Sequence, residues 1–255
     1  MRLSVVLLSL LLVLGACGKK QVAPRTFSAM TEEFVHSTLA LSPVSATAAG
    51  YHTHQAVALD ERLDDVSQAG LEARRRHYRD WLGRLSRIDA KSLDAQARAD
   101  LDLMRNLCEA ALFDLDTEQN WKNNPTVYVE LLGTALFTPY SVEYAPAEER
   151  WKHIIARLEA APAFLQAARA NLAQSNPVWT QTAIEENEGN LGLVEEEFPS
   201  KVPETLRARY DAAAARAAGA MRDFNAHLKT LPDAGADGWR LGREKYARKF
   251  ELTFR

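Results

Sequence analysis

The residue with the clearest chemistry is Cys17, because of what stands in front of it. Leu14-Gly15-Ala16-Cys17 has the lipobox pattern, in which a signal peptidase cuts between Ala16 and Cys17 once the thiol carries a diacylglyceryl group. Upstream, Arg2 supplies a short positive region, and Leu3 to Leu14 is apolar apart from Ser4 and Ser9. That run is too short for a membrane span, which needs ~20 apolar residues, but it suits the core of an export signal. Cys17 is therefore expected to be the lipid-bearing N-terminus of an exported chain, with membrane lipid as its first partner. Several acyl chains on one residue anchor stably, where a single chain holds marginally. Gly18 in place of Asp points to the outer membrane, facing the periplasm, in a cell with two membranes.

The other reactive residue types carry weaker signals. With Cys17 acylated, Cys108 has no internal disulfide partner. It lies four residues after Met104 and four before Leu112, on an apolar helical stripe, which is the setting of a structural thiol. His52 and His54 form a His-x-His pair that could hold a metal, but no third ligand follows at a recognisable spacing. His36, His77, His153 and His227 fall on expected helices without a second histidine four residues away, so no His-Glu-x-x-His zinc helix is present. Glu185, Glu186, Glu188 and Glu195 to Glu197, like the arginines at 74–76 and 79, read as solvated helix faces. The arginines also have the charge to touch anionic lipid beside an anchor. No Gly-x-Ser-x-Gly elbow occurs. The residues alone assign no catalytic or metal position and imply no cofactor.

The elements that would position these groups are helical throughout. After a tether over residues 17–26, apolar residues recur at steps of three and four, and glycine and proline are few. A first helix is expected over Phe27 to Leu41 with Phe34, Val35 and Leu39 inward, then a turn-containing stretch over 42–66. The next runs from Ser67 to Ile88, facing inward with Leu71, Tyr78, Trp81, Leu82, Leu85 and Ile88, its arginines outward. Ser92 is the expected cap of a helix carrying Leu101, Met104, Leu107, Cys108 and Leu115. Asn124-Pro125 and Asn176-Pro177 read as caps followed by proline at the first helical position. Pro146 and Pro203 precede glutamates that suit a helix N-terminus, and Pro162 should break or kink its helix near Ala160 and Ala161. A last long helix is expected over Pro203 to Leu231, and an amphipathic segment over Trp239 to Arg255. No strand-like alternation is evident. The fold class is all-α, an array of packed helices and helical hairpins over 27–255. The whole chain's net charge of -3, of mixed sign and without a basic stripe, excludes a nucleic-acid partner.

Four segments together resemble one family. Ser42-Pro43-Val44-Ser45-Ala46-Thr47-Ala48-Ala49-Gly50 is similar to a P-x-x-A-T-x-x-G segment, and Asn124-Pro125-Thr126-Val127-Tyr128 to an N-P-x-x-Y segment. Arg157 to Leu165, with Asn171-Leu172 after it, resembles an R-L-x-x-x-P-x-F-L … N-L helix, and Leu241-Gly242-Arg243-Glu244-Lys245-Tyr246 an L-G-x-E-x-Y segment. In this order they resemble the bacterial domain of unknown function 885 family. The resemblance implies an exported, often lipid-anchored protein related to zincin-like metallopeptidases, with a zinc helix of His-Glu-x-x-x-x-His type in the C-terminal half. No segment of this sequence matches that zinc helix, so no family metal or catalytic residue is carried onto a position here. The chain is expected to correspond to the helical N-terminal half, truncated or split from the rest and inactive by itself. The alternative is a free-standing helical lipoprotein that binds a peptide or a cell-envelope partner. On the first reading parts of Trp239 to Phe254 are expected to expose apolar surface that the C-terminal half would cover, and so to favour self-association, whereas a monodisperse monomer would argue for a self-sufficient domain.

Overall fold

The computed structural model describes residues 26–235 and 237–254. It is the expected all-α array: α1 (Phe27–Ala40), α2 (Pro43–Ala48), α3 (Gln68–Leu85), α4 (Ala95–Phe113), α5 (Asn120–Asn123), α6 (Thr126–Ser141), α7 (Ala147–Asn171), α8 (Pro177–Gly192), α9 (Arg207–Leu228) and α10 (Gly242–Phe254). π-helical turns follow α4 at Asp114–Glu118 and α8 at Leu193–Glu197.

The helices bury two apolar cores. The larger lies among α6, α7, α8 and α9, where Trp151, Phe198 and Tyr210 meet edge to face and Leu132, Ile155, Leu158, Met221 and Phe224 fill in around them. The smaller packs Phe34 of α1 against Trp81 and Leu85 of α3 and Leu101, Met104 and Cys108 of α4. α10 lies against α4 through the buried Leu252, with Asn106 Nδ2 donating to Leu252 O at 2.8 Å and Arg248 pairing with Glu109 at 2.8 Å.

Most helix ends fall where local chemistry places them. Ser67 Oγ accepts from Gly70 N to start α3, and Asn176 Oδ1 accepts from Val178 N at 2.8 Å to start α8. Asn124 Oδ1 accepts from Thr126 N at the start of α6. Other expectations are corrected. Ser92 closes a 3₁₀ turn, and Asp94 caps α4 by accepting from Ala97 N at 2.8 Å. Val35 and Leu107 face solvent, because α1 and α4 each bury a stripe narrower than their apolar content. α7 runs unbroken for 25 residues with Pro162 inside. An interior proline costs about 3 kcal/mol, and the burial of Leu158, Ala161, Phe164 and Leu165 around it is large enough to offset that. The last long helix proper starts at Arg207, after a 3₁₀ turn over Glu204–Leu206.

Residues 42–66 hold more structure than a turn. They form α2 and a small antiparallel hairpin, β1 (Thr53–His54) with β2 (Val57–Ala58), turned by Gln55 and Ala56 at φ 46° and 64°. Strands of two residues are too short to show alternation.

Candidate functional site

Polar side chains converge where α2 and the hairpin meet α6 and α7. α7 carries Arg157 among Ile154, Ile155, Leu158 and Ala161, and helical spacing turns the arginine inward with them until it is 0% exposed. Its Nη1 donates to Ala135 O of α6 at 2.7 Å, its Nη2 donates to Thr47 Oγ1 of α2 at 2.6 Å, and its Nε has no partner. Thr47 Oγ1 donates in turn to Asp60 Oδ1 at 2.6 Å. Asp60 also holds His52, with Nδ1 2.9 Å from Oδ2. Tyr144, in the α6–α7 loop, stacks on His52 at 4.6 Å and on His153 at 6.0 Å, and its hydroxyl lies 3.0 Å from His153 Nδ1. Beside them Asp64 accepts from Val44 N at 3.1 Å and from Arg74 Nη2 at 2.8 Å.

Burial dominates the electrostatics of this cluster. It holds Arg157 below its ordinary value, against the opposing pull of Tyr144, Asp60 and Asp64. It raises the Asp64 carboxyl despite Arg74, and lowers His153 despite Asp60. Burial also pushes the Tyr144 phenol up, so it stays protonated where its hydroxyl meets His153 Nδ1. The two carboxylates and two guanidiniums balance. Of the two histidines in the cluster, His52 is the more open, with 35% of its side chain exposed against 9% for His153. An Asp–His pair of this form can orient a proton at the outer nitrogen, but among the described residues no serine or cysteine is hydrogen-bonded to it. The work visible in the geometry is mechanical: it fixes residues 42–66 onto α6 and α7.

A second tie joins the same layers. Asn171 Nδ2 donates to Val66 O at 2.6 Å and to Tyr128 Oη at 3.1 Å, while Gln68 Nε2 donates to Asn171 Oδ1 at 2.7 Å. The Tyr128 hydroxyl donates to Trp121 O.

The residues singled out from sequence are distributed differently. His52 and His54 do not act as a pair: His52 belongs to Asp60, and His54 Nδ1 lies 2.8 Å from the Tyr51 hydroxyl. Among the described residues no three His, Cys, Asp or Glu come together as a metal site. The arginine run is corrected from a solvated face at two positions, since Arg74 is bound to Asp64 and Arg75 to Asp116, while Arg76 and Arg79 stay exposed. Of the glutamates, Glu185, Glu188 and Glu195 to Glu197 are exposed. Glu186 is half-buried, and burial with Glu130 nearby raises its carboxyl. Cys108 is fully buried and its thiol is pushed up to about 12, which makes it inert. Ala16 and Cys17 lie outside the described residues. Sequence reading missed Asp60, Asp64, Thr47 and Tyr144. The available signal was an arginine centred in the apolar stripe of α7, which required polar partners from elsewhere in the chain.

The architecture defines an all-α scaffold whose helices are cross-tied by buried polar groups. Its fold matches the solved structure of a candidate lipoprotein of unknown function from Shewanella oneidensis, with a TM-score of 0.79 and 23% identity. The match covers 90% of this chain and 42% of that one, so the chain spans less than half the length of this relative. No curated protein matches the chain. The family described as bacterial proteins of unknown function, DUF885, matches residues 43–254, and the chain belongs to that family. Among the described residues no helix is long and apolar enough to cross a membrane.

Two measurements test the cluster. Thr47→Val strands a buried guanidinium and should cost about 3 kcal/mol in urea unfolding, whereas Thr47→Ser keeps the hydroxyl and should cost about 1 kcal/mol; equal costs would remove Thr47 from the bridge. The second concerns pH. The folded-state pKa of His153 lies below its ordinary 6.5, so the unfolded chain protonates first and stability is lost as pH falls below 6.5. His77 and His227, also lowered by burial, act with the same sign. His153→Gln should flatten that slope by up to one proton, at most about 1.4 kcal/mol per pH unit. An unchanged slope would mean that His153 titrates alike in both states.

Proposed function

We propose that this chain is the lipid-anchored helical scaffold of an exported protein of its family, held at the outer membrane on the periplasmic side. In this reading it performs no catalysis by itself, and it serves a zincin-like metallopeptidase architecture whose metal ligands come from a partner half. The observation that carries the proposal is the coverage: nine-tenths of this chain corresponds to 42% of a longer candidate lipoprotein, and Leu14-Gly15-Ala16-Cys17 gives this chain its own acylation signal. A second reading, a free-standing lipoprotein that binds a peptide or envelope partner, is favoured by one feature. Tyr246, Phe250 and Phe254 recur every four residues on α10, and all three are exposed, an apolar surface of the kind partners cover.

Anchoring is tested in cells. Globomycin or Cys17→Ser should block processing and shift the protein out of its normal membrane fraction; unaltered processing and fractionation would end the lipoprotein reading. Catalysis is tested on the purified chain, which should hold no stoichiometric zinc and cleave no peptide. Metal-dependent cleavage by homogeneous protein would overturn the scaffold reading.

A further inference from the structure

A half-open cavity of about 220 Å³ lies beside the polar cluster, lined from α2, α3, α5, α6 and the π turn that follows α4. Asp64, Arg74 and Asp114 supply its charges, and Trp121, Val127 and Leu131 much of its apolar wall. Two of the three charges cancel: Arg74 Nη2 binds Asp64 Oδ2 at 2.8 Å, and Val44 N occupies the other oxygen of that carboxylate. Asp114 is different. Its Oδ1 accepts from Asn120 Nδ2 at 2.9 Å, and among the described residues its Oδ2 accepts no hydrogen bond and no cation pairs with it at ion-pair distance. Lys249, the nearest lysine in charge terms, is committed to Glu118 at 2.5 Å. Burial raises the Asp114 carboxyl, outweighing the Asn120 hydrogen bond and the fields of Arg74 and Lys249 that favour its charged form.

The complement of such a site is a cation that brings its own apolar surface. A hard metal ion is a poor fit, because calcium or magnesium takes six or more oxygens and the carboxylates lining this cavity are Asp114 and the Arg74-bound Asp64 alone. A primary ammonium needs few acceptors, and an alkyl group next to it would lie against the aliphatic wall. We propose that this cavity binds a small ligand through a primary ammonium seated on Asp114, with a short apolar substituent packed against Val127 and Leu131. The same chemistry occurs in a free amino acid and at the amino end of a peptide. The inference does not depend on the anchoring or scaffold readings.

Titration calorimetry on the purified full chain tests it with isobutylamine and its neutral twin isobutanol. Isobutylamine should bind in the millimolar range, and isobutanol at least about tenfold more weakly, the discrimination expected when one charge pair is worth about 1.4 kcal/mol. Asp114→Asn should reduce amine binding by a similar factor. Leu131→Phe, which narrows the cavity and leaves Asp114 in place, should abolish it, and this variant decides the matter if Asp114→Asn fails to fold. Leucine and leucinamide separate the two sources: tighter leucinamide binding selects a peptide amino end, and tighter leucine binding a free amino acid. Absence of isobutylamine binding, equal binding of isobutanol, or binding indifferent to both substitutions would overturn the proposal.

Discussion

A guanidinium without water must be given a polar environment by the chain itself, and Arg157 sets that condition at the centre of α7. Removing such a cation from water costs several kcal/mol even after relaxation. No carboxylate touches Arg157; the compensation is a carbonyl from α6, the Thr47 hydroxyl from α2, and the fields of Asp60 and Asp64. The carbonyl comes from Ala135, and the other groups all come from the stretch 42–66. α2 has six residues, too few for a stable isolated helix. Its position follows from the demand of Arg157 and from Val44 N meeting Asp64.

The same demand explains how the two apolar cores become one molecule. Leu, Ile and Phe packing within each core is strong but non-directional, and by itself would leave the relative placement of α1–α4 and α6–α9 poorly determined. Hydrogen bonds are directional. Thr47 to Arg157 spans 110 positions and Gln68 to Asn171 spans 103, so the two ties connect the first third of the chain to the middle and to the C-terminal end of α7. Polar groups along this seam cannot interdigitate as aliphatic side chains do, and a cavity with charged walls sits against it.

Helix existence was legible because it rests on local information. Apolar spacing, the Asn176-Pro177 cap and the face Tyr210, Ala214, Ala217, Met221, Phe224 and Leu228 of α9 are all readable within a few residues. The stretch 42–66 was not, since its order depends on Arg157 and Arg74, which lie outside it. Local alternatives also misled: Ser92 and Asp94 both offer a capping oxygen, and only the packing of α4 decides between them. The charged groups were read by proximity in sequence, as runs of arginine or glutamate. Their partners are Asp116 for Arg75 and Arg79, and Arg222 for Glu195, which no run reveals.

Three of the four segments that resemble the family prove to be where these ties are made. Thr47 of the first meets Arg157 of the third, and Tyr128 of the second meets Asn171 of the third. Each pairing is buried, and losing one member leaves the other with the full cost of an unsatisfied group rather than the small net value of one hydrogen bond. Such positions constrain one another far more than interchangeable aliphatic neighbours do. A recognisable pattern can therefore mark the frame of a fold without marking its chemistry. For this chain the family motifs locate the bolts between helices, and any ligand chemistry has to be sought beside them, in groups such as Asp114 that take no part in those ties.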